Sequence, residues 1–352
     1  MVDNLAGNPA RWRTQLLIVP AVTGAPELDD SIPVGNTGNV TRIVYLDQNA
    51  WVVLARGAWD MERYPTEHTV LREIVDLVRS GSIIVPLSFA NMYETSKINV
   101  PGRRANMART QSLLSGGRVF RGRGRILGET LAAYIADRNG IARLEPDRLW
   151  FLSDLWFEAA SDYSQESYGV HIPQQTMEFI RREPALTLFG FLAFNDEDVR
   201  LEAVRRYSAG SAELIGRIEA RRALVAGEPL ALRRRAYGAQ LVLDELDCVF
   251  ATARGLGLDW STVGDIGSSL LRGMTVDVPV LNVERELVVR LEDQGRSVSE
   301  NDLRDMMAFM TVLPLADMMV AEKQFVNLSR QARLDERYAT ELLTSIHELT
   351  EG

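Results

Sequence analysis

Apolar residues gather in a short run at Ile43-Val44-Tyr45-Leu46, and the chain turns polar at once in Asp47-Gln48-Asn49. A run of that length bounded by turn residues predicts a buried strand over 43–47, with a helix beginning in 50–55. Over 67–80 the spacing changes. Val70, Leu71, Ile74, Leu77 and Val78 recur every three or four residues, which predicts a helix, and Gly81 supplies its stop. Ile83-Ile84-Val85-Pro86-Leu87 predicts a second strand, and Ser88 stands where it can cap a helix carrying Phe89, Met92, Tyr93 and Glu94. A strand, a helix and another strand in that order make a crossover unit, so the expected core is α/β with a parallel sheet.

The pattern sharpens again toward the C-terminus. Ser299-Glu300-Asn301-Asp302 reads as a capping-box start, with Leu303, Met306, Met307 and Met310 as the apolar stripe of the helix that follows. Leu313-Pro314 ends it, 315–321 reads as a strand, and Leu334, Tyr338, Leu342, Ile346 and Leu349 predict a last amphipathic helix over 334–349. The stretch 126–275 reads as mainly helical, with aromatic clusters at Trp150-Phe151, Trp156-Phe157 and 189–194 that suit a core better than a base-stacking surface. Residues 1–41 carry one apolar cluster, Leu16-Leu17-Ile18-Val19, followed by turns, and read as a loose arm.

Length and composition narrow the class. At 352 residues the chain exceeds the usual single domain, so one domain with a large insertion, or two domains, is expected. Its 46% apolar and 25% charged residues suit a globular protein. A net charge of −9 argues against indiscriminate attraction to polyanions, so any contact with nucleic acid has to come from a local patch. The sharpest such patch is 97–125, which holds Lys97, Arg103, Arg104, Arg109, Arg118, Arg121, Arg123 and Arg125 and no acid. Gly116-Gly117 and Gly122-x-Gly124 would let the backbone there approach a phosphate, or would suit a lid. Arg233-Arg234-Arg235 reads as an exposed helical face. Cys248 is the only cysteine, which excludes an internal disulfide and a cysteine-built zinc site, and reads as a small buried residue. Neither a membrane-length apolar run nor a signal-like start is present, so the expectation is a cytoplasmic protein with no membrane partner.

Four acidic signals carry the candidate chemistry: Asp47 at a strand end, Glu94 on a helix, the Asp302/Asp305 pair, and Glu322 after a strand. Ligands of open parallel sheets bind at the carboxyl ends of the strands, where such groups converge. Crowded carboxylates repel one another unless some are protonated or a cation is bound. Mg²⁺ or Mn²⁺ suits oxygen ligands, and such an ion supplies an activated water and stabilises a leaving oxygen. Each acid also has a plainer reading: Asp47 as a turn former, Asp302 as a helix cap, Glu94 and Glu322 as solvated charges. Asp317, on the opposite face of its strand from Glu322, reads as a hydrogen-bonding or salt-bridge partner.

The segments Leu46-Asp47-Gln48-Asn49, Tyr93-Glu94-Thr95, Asn301-Asp302-x-x-Asp305 and Leu313-Pro314-x-x-Asp317…Ala321-Glu322-Lys323-x-Phe325 together resemble the PIN-like domain family of metal-dependent nucleases. The likeness covers roughly 42–100 and 280–350. It implies a three-layer α/β/α core with a central parallel sheet, built from 42–125 and 276–352 and interrupted by a helical insertion over 126–275. It implies Mg²⁺- or Mn²⁺-dependent hydrolysis of RNA, and many similar proteins are toxins or host-defence effectors. Carried over, Asp47, Glu94, Asp305 and Glu322 would hold metal, with Asp302 assisting or capping. Asn49 would orient a ligand, and Lys97, Arg103, Arg104, Arg109, Arg121 and Arg123 would guide the phosphate backbone. Glu322 stands where the family usually has Asp, and the insertion exceeds the minimal domain. A catalytically inactive RNA- or protein-binding module, a DNA-directed nuclease, a protein partner or inhibitor, and self-association stay open as alternatives.

Overall fold

The computed structural model of the chain describes residues 41–160 and 171–349, so the expected arm over 1–41 lies outside the described residues except for Thr41. The chain runs β1 (Arg42–Leu46), α1 (Gln48–Trp59), α2 (Pro65–Arg79), β2 (Ile83–Ile84), α3 (Phe89–Ser96), α4 (Pro101–Ser115), β3 (Val119–Phe120), α5 (Arg123–Asn139) and β4 (Leu152–Ser153). It continues through α6 (Gln174–Arg182), α7 (Pro184–Phe194), α8 (Glu197–Leu224), α9 (Leu230–Asp244), α10 (Leu246–Gly255), α11 (Val263–Ile266), α12 (Ser268–Asp277) and α13 (Pro279–Leu291). It closes with α14 (Glu300–Val312), β5 (Met318–Val320), α15 (Lys323–Gln331), α16 (Leu334–Tyr338) and β6 (Glu341–Leu343).

The protein is mixed α/β, mostly helical, around a small parallel sheet of order β2-β1-β5-β6. Val44, Tyr45 and Leu46 of β1 lie opposite Met318, Met319 and Val320 of β5, and Arg42 and Ile43 pair with Ile83 and Ile84 on the other side. The chain leaves β1 toward β2 on one flank and reaches β5 and β6 on the other. The direction of strand order therefore reverses between β1 and β5, where open α/β sheets bind their ligands.

Alternation along β1 divides the interior in two. Ile43 and Tyr45 enter one core with Leu127, Leu131, Leu287, Phe309 and Met319, whereas Val44 and Leu46 enter the other with Trp51, Ile74, Phe189, Met318 and Val320. Both faces of the sheet are thus covered by helices, and full burial of each large apolar side chain stabilises by roughly 1.5–3 kcal/mol. The 126–275 stretch contributes to both layers, since Phe189 belongs to one core and Leu241 to the other. Of the aromatic clusters, Phe151, Trp156, Phe157 and Phe189 are buried as expected, Trp150 and Phe191 are half-buried, and Phe194 is exposed.

Three expectations need correction. The 334–349 stretch is not one helix: α16 stops at Tyr338, Ala339 takes a left-handed φ of 54°, and residues 341–343 form β6 against β5. The four-residue apolar spacing there reports burial, but Thr340 Oγ1 donates to Leu313 O at 2.6 Å and Glu341 N to Asp317 O at 3.0 Å, and these non-local bonds draw the backbone into the sheet. The basic stretch 97–125, whose glycines would suit a lid, instead contains α4, β3 and the start of α5. Its glycines serve chain packing: a Cβ on Gly117, whose φ is +79°, would meet the Pro184 backbone at 2.3 Å, and one on Gly122 would meet Ala160 O at 2.5 Å. Finally, Arg233 is buried, donating to Val289 O and pairing with Asp293, and half-buried Arg234 pairs with Glu286, so of the expected exposed triplet only Arg235 is exposed.

Candidate functional site

Asp47 is held from two directions. Its backbone N donates to Val320 O at 3.0 Å across the β1–β5 pair, and its Oδ1 accepts from Ala50 N at 2.9 Å as the N-cap of α1. The turn-forming role is therefore real, and it fixes the carboxylate at the carboxyl edge of the central strands. Glu322 follows β5 by one intervening residue, is exposed, and stands at the N-cap position of α15 without using its side chain as a cap.

Asp305, on α14, faces these two. Its carboxyl is hydrogen-bonded to Glu322 and feels the charge of both Glu322 and Asp47. Burial, then Glu322, then Asp47 push it up to about 8 from an ordinary 3.8, against a small opposing pull from Arg304. Asp47 rises to about 6: burial is the main cause, the amide of Ala50 opposes it, and Glu322 adds to it. Tyr45 lies beneath. Burial raises its phenol far above the usual range, with the Asp47 and Asp305 charges adding to that. Three acids from the two ends of the chain thus meet at the reversal of strand order.

The other acids are engaged differently. Asp302 Oδ2 accepts from Ser299 N at 2.7 Å and Ser299 Oγ accepts from Asp302 N at 3.2 Å, completing the capping box read from sequence. Burial would raise the Asp302 carboxyl, but hydrogen bonds from Arg296 and Ser299 outweigh it and hold it low. Arg296 Nη1 donates to it at 2.7 Å and also feels Glu322. Glu94 is ion-paired with Arg304, whose Nη1 also contacts Glu300 at 2.7 Å. Asn49 is exposed in the first turn of α1. Asp317 Oδ2 accepts from Ile43 N at 2.6 Å and ties β5 to β1, the hydrogen-bonding role expected of it.

Most of the basic stretch is already neutralised. Lys97 pairs with Glu300 at 3.1 Å, Arg104 with Glu197 at 3.3 Å, Arg121 with Glu158 at 2.5 Å, and Arg123 with both Glu245 and Glu284 at 2.7 Å. Arg109 stacks over the Trp59 ring at 5.2 Å, and Arg103 is exposed. The acids that answer this segment come from elsewhere in the chain, which a linear scan of charge cannot see. Cys248 is half-buried and burial raises its thiol, the opposite of an activated nucleophile.

Sequence reasoning missed a polar ring behind the acids. Gln48 Nε2 donates to Thr95 Oγ1 at 3.3 Å, Thr95 Oγ1 to Gln111 Oε1 at 2.8 Å, and Gln111 Nε2 back to Gln48 Oε1 at 3.4 Å. Thr95 and Gln111 are fully buried. The ring joins α1, α3 and α4 at residues immediately following Asp47 and Glu94. That adjacency was the available signal for Gln48 and Thr95; Gln111 had none.

Among the described residues no group of three or more His, Cys, Asp or Glu side chains is spaced to cage an ion as it stands. Mg²⁺ in nucleic-acid enzymes is commonly held by one or two carboxylates plus substrate phosphates, with water completing the shell. An all-oxygen set in which Glu322 pushes up both Asp47 and Asp305, and Asp47 adds to the rise of Asp305, fits that mode in kind. Compared with known proteins, the chain matches no family model, no curated protein and no solved structure. Among the described residues no helix is long and apolar enough to cross a membrane.

Proposed function

We propose that the chain is a divalent-metal-dependent endoribonuclease with a PIN-like core, acting through an acidic cleft at the carboxyl edge of β1 and β5. The observation that carries this reading is the meeting of Asp47, Asp305 and Glu322, with two of the three carboxyls pushed well above their ordinary range. Such crowding is costly unless a cation or a proton relieves it. Asp47, Asp305 and Glu322 would hold Mg²⁺ or Mn²⁺, which when bound supplies an acidified water and offsets charge on the phosphodiester. The protein's own part is positional. The Ala50 amide and the β1–β5 bond fix Asp47, and the α14 backbone fixes Asp305 opposite it. Burial and Glu322 favour the protonated form of Asp305, and that proton has to leave before Asp305 can act as a ligand.

Asp302 serves this reading as a cap and an anchor for Arg296, which brings a cation near Glu322. A role in toxin or defence systems belongs to the same reading and follows from the family likeness alone. A second reading, a non-catalytic RNA- or protein-binding module, draws on the ion pair that occupies Glu94 with Arg304. The two separate in one experiment. Asp47→Asn is expected to abolish Mn²⁺-dependent cleavage of single-stranded RNA while the circular dichroism spectrum stays unchanged. Cleavage by the variant at the wild-type rate refutes the assignment, and parallel digestion of DNA decides the polynucleotide.

A further inference from the structure

Near Asp305 lies a cavity of about 160 Å³ that the proposed metal chemistry does not use, although Arg121 and Arg123, expected from the family likeness to guide a phosphate backbone, are in its lining. Its walls are Phe89, Phe120, Tyr207 and Met307, with Ala308 and Thr311 completing one face of α14. Met307 and Ala308 follow Asp305 by two and three residues, so the cavity opens within one helical turn of it. Ser88, also in the lining, lies 3.5 Å from the phenol of Tyr45, the same side chain that senses Asp47 and Asp305.

Size and charge restrict the occupant. A protein cavity of about 150 Å³ holds one benzene ring, so this one admits a single ring and not a fused pair. Arg121 and Arg123 line it, but Glu158, Glu245 and Glu284 neutralise them, which disfavours a phosphate and suits an uncharged group. Phe89 and Tyr207, with ring centroids 5.7 Å apart, form an aromatic wall. Two hydroxyls there are free to accept: Ser88 Oγ gives its proton to Asn91 Oδ1 at 3.0 Å and Thr311 Oγ1 gives its own to Met307 O at 2.8 Å, leaving lone pairs for an N–H of the base, N3–H of uracil or the N4 amine of cytosine.

We infer that this cavity seats one unpaired pyrimidine base of a single-stranded RNA, stacked on the Phe89–Tyr207 wall, with its flanking phosphodiester presented toward Asp305. The inference rests on the nuclease reading for the origin of the base, and it sets a preference for cleavage beside uridine or cytidine. Aromatic stacking of this kind accounts for about 1–3 kcal/mol per base, so loss of the wall weakens binding about tenfold.

The test is binding in EDTA, where no cleavage occurs, using an oligouridine decamer with one central 5-methylpyrimidin-2-one riboside, a fluorescent single-ring base, and an oligoadenosine decamer with one central 2-aminopurine. Stacking is expected to quench the pyrimidinone and leave the 2-aminopurine bright. Ala308→Leu, which fills the cavity, is expected to remove the quenching, and Tyr207→Leu to weaken binding about tenfold. Tyr207 is only half-buried, so its variant carries the test if Ala308→Leu does not fold. Equal quenching of both probes, quenching that survives both substitutions, or no binding overturns the inference. Quenching without any Mn²⁺-dependent cleavage sinks the nuclease reading and leaves the base pocket standing; cleavage without quenching does the reverse.

Discussion

The carboxyl of Asp305 is hydrogen-bonded to Glu322, and burial together with that neighbour favours the protonated form of Asp305. Asp305 sits on a helix and Glu322 at the end of the next strand, so the contact depends on α14 packing over the β1–β5 edge. On the proposed reading, protons and cations compete at this edge of the sheet.

Stability without metal is expected to fall as pH rises. Both Asp47 and Asp305 have folded-state values above the ordinary 3.8, about 6 and about 8, so the fold favours their protonated forms. Their contribution is intact below about pH 4 and is lost as pH climbs through 6 and 8. Asp305→Asn cannot ionise. It is expected to stabilise the metal-free protein at pH 8.5 by on the order of 3 kcal/mol and to change little at pH 4, read by denaturant melts at the two pH values. A destabilised variant at pH 8.5 contradicts the assignment.

Mn²⁺ is expected to raise the melting temperature at pH 8 and to do so far less at pH 5.5, because cation and proton compete for the same oxygens. Asp47→Asn and Asp305→Asn should each lose most of the shift. A shift that persists in both variants places the ion elsewhere.

Asp302 and Asp305 should separate cleanly. Asp302→Ala removes the capping box and the Arg296 contact and is expected to cost about 1–2 kcal/mol while retaining most cleavage activity. Asp305→Asn is expected to abolish cleavage without loss of stability. The reverse pattern would exchange their roles.

Gln111→Leu tests the ring behind the acids. It leaves the Thr95 hydroxyl and the Gln48 carbonyl of the ring without their Gln111 partners, which costs about 1–3 kcal/mol, and loosens the turn carrying Asp47. The expected result is a fall in kcat and in Mn²⁺ affinity with KM for RNA little changed; altered stability alone would mark the ring as purely structural.

Two glycines of the basic stretch should behave oppositely. Gly117→Ala drives a methyl group into the Pro184 backbone at a left-handed φ and is expected to cost about 3 kcal/mol. Gly124→Ala meets open space inside α5 and is expected to stabilise by about 0.5–1 kcal/mol. Thermal melts of the two variants read the difference.

Much of the local structure was legible in the residues themselves. The β1 run, the α2 stripe from Val70 to Val78, the Ser88 cap and the Ser299–Asp302 box each depend on interactions a few residues long, and sequence spacing encodes those directly. The unbroken apolar run of β1 likewise foretold a buried strand, and its residues enter the cores on both faces.

Contacts between distant segments were another matter. Lys97, Arg104, Arg121 and Arg123 looked like an open cationic strip until helices from far along the chain brought Glu300, Glu197, Glu158, Glu245 and Glu284 against them. Thr340 and Glu341 read as helical until bonds to Leu313 and Asp317 made an edge strand of their neighbours. The sequence by itself determined where elements start and which faces are apolar, because burial and capping are local. Only the tertiary structure decided which charges meet: Asp305 with Glu322 beside Asp47, and Glu94 with Arg304. The energy of a charge depends on its distance from every other, and that distance is set by the path of the whole chain.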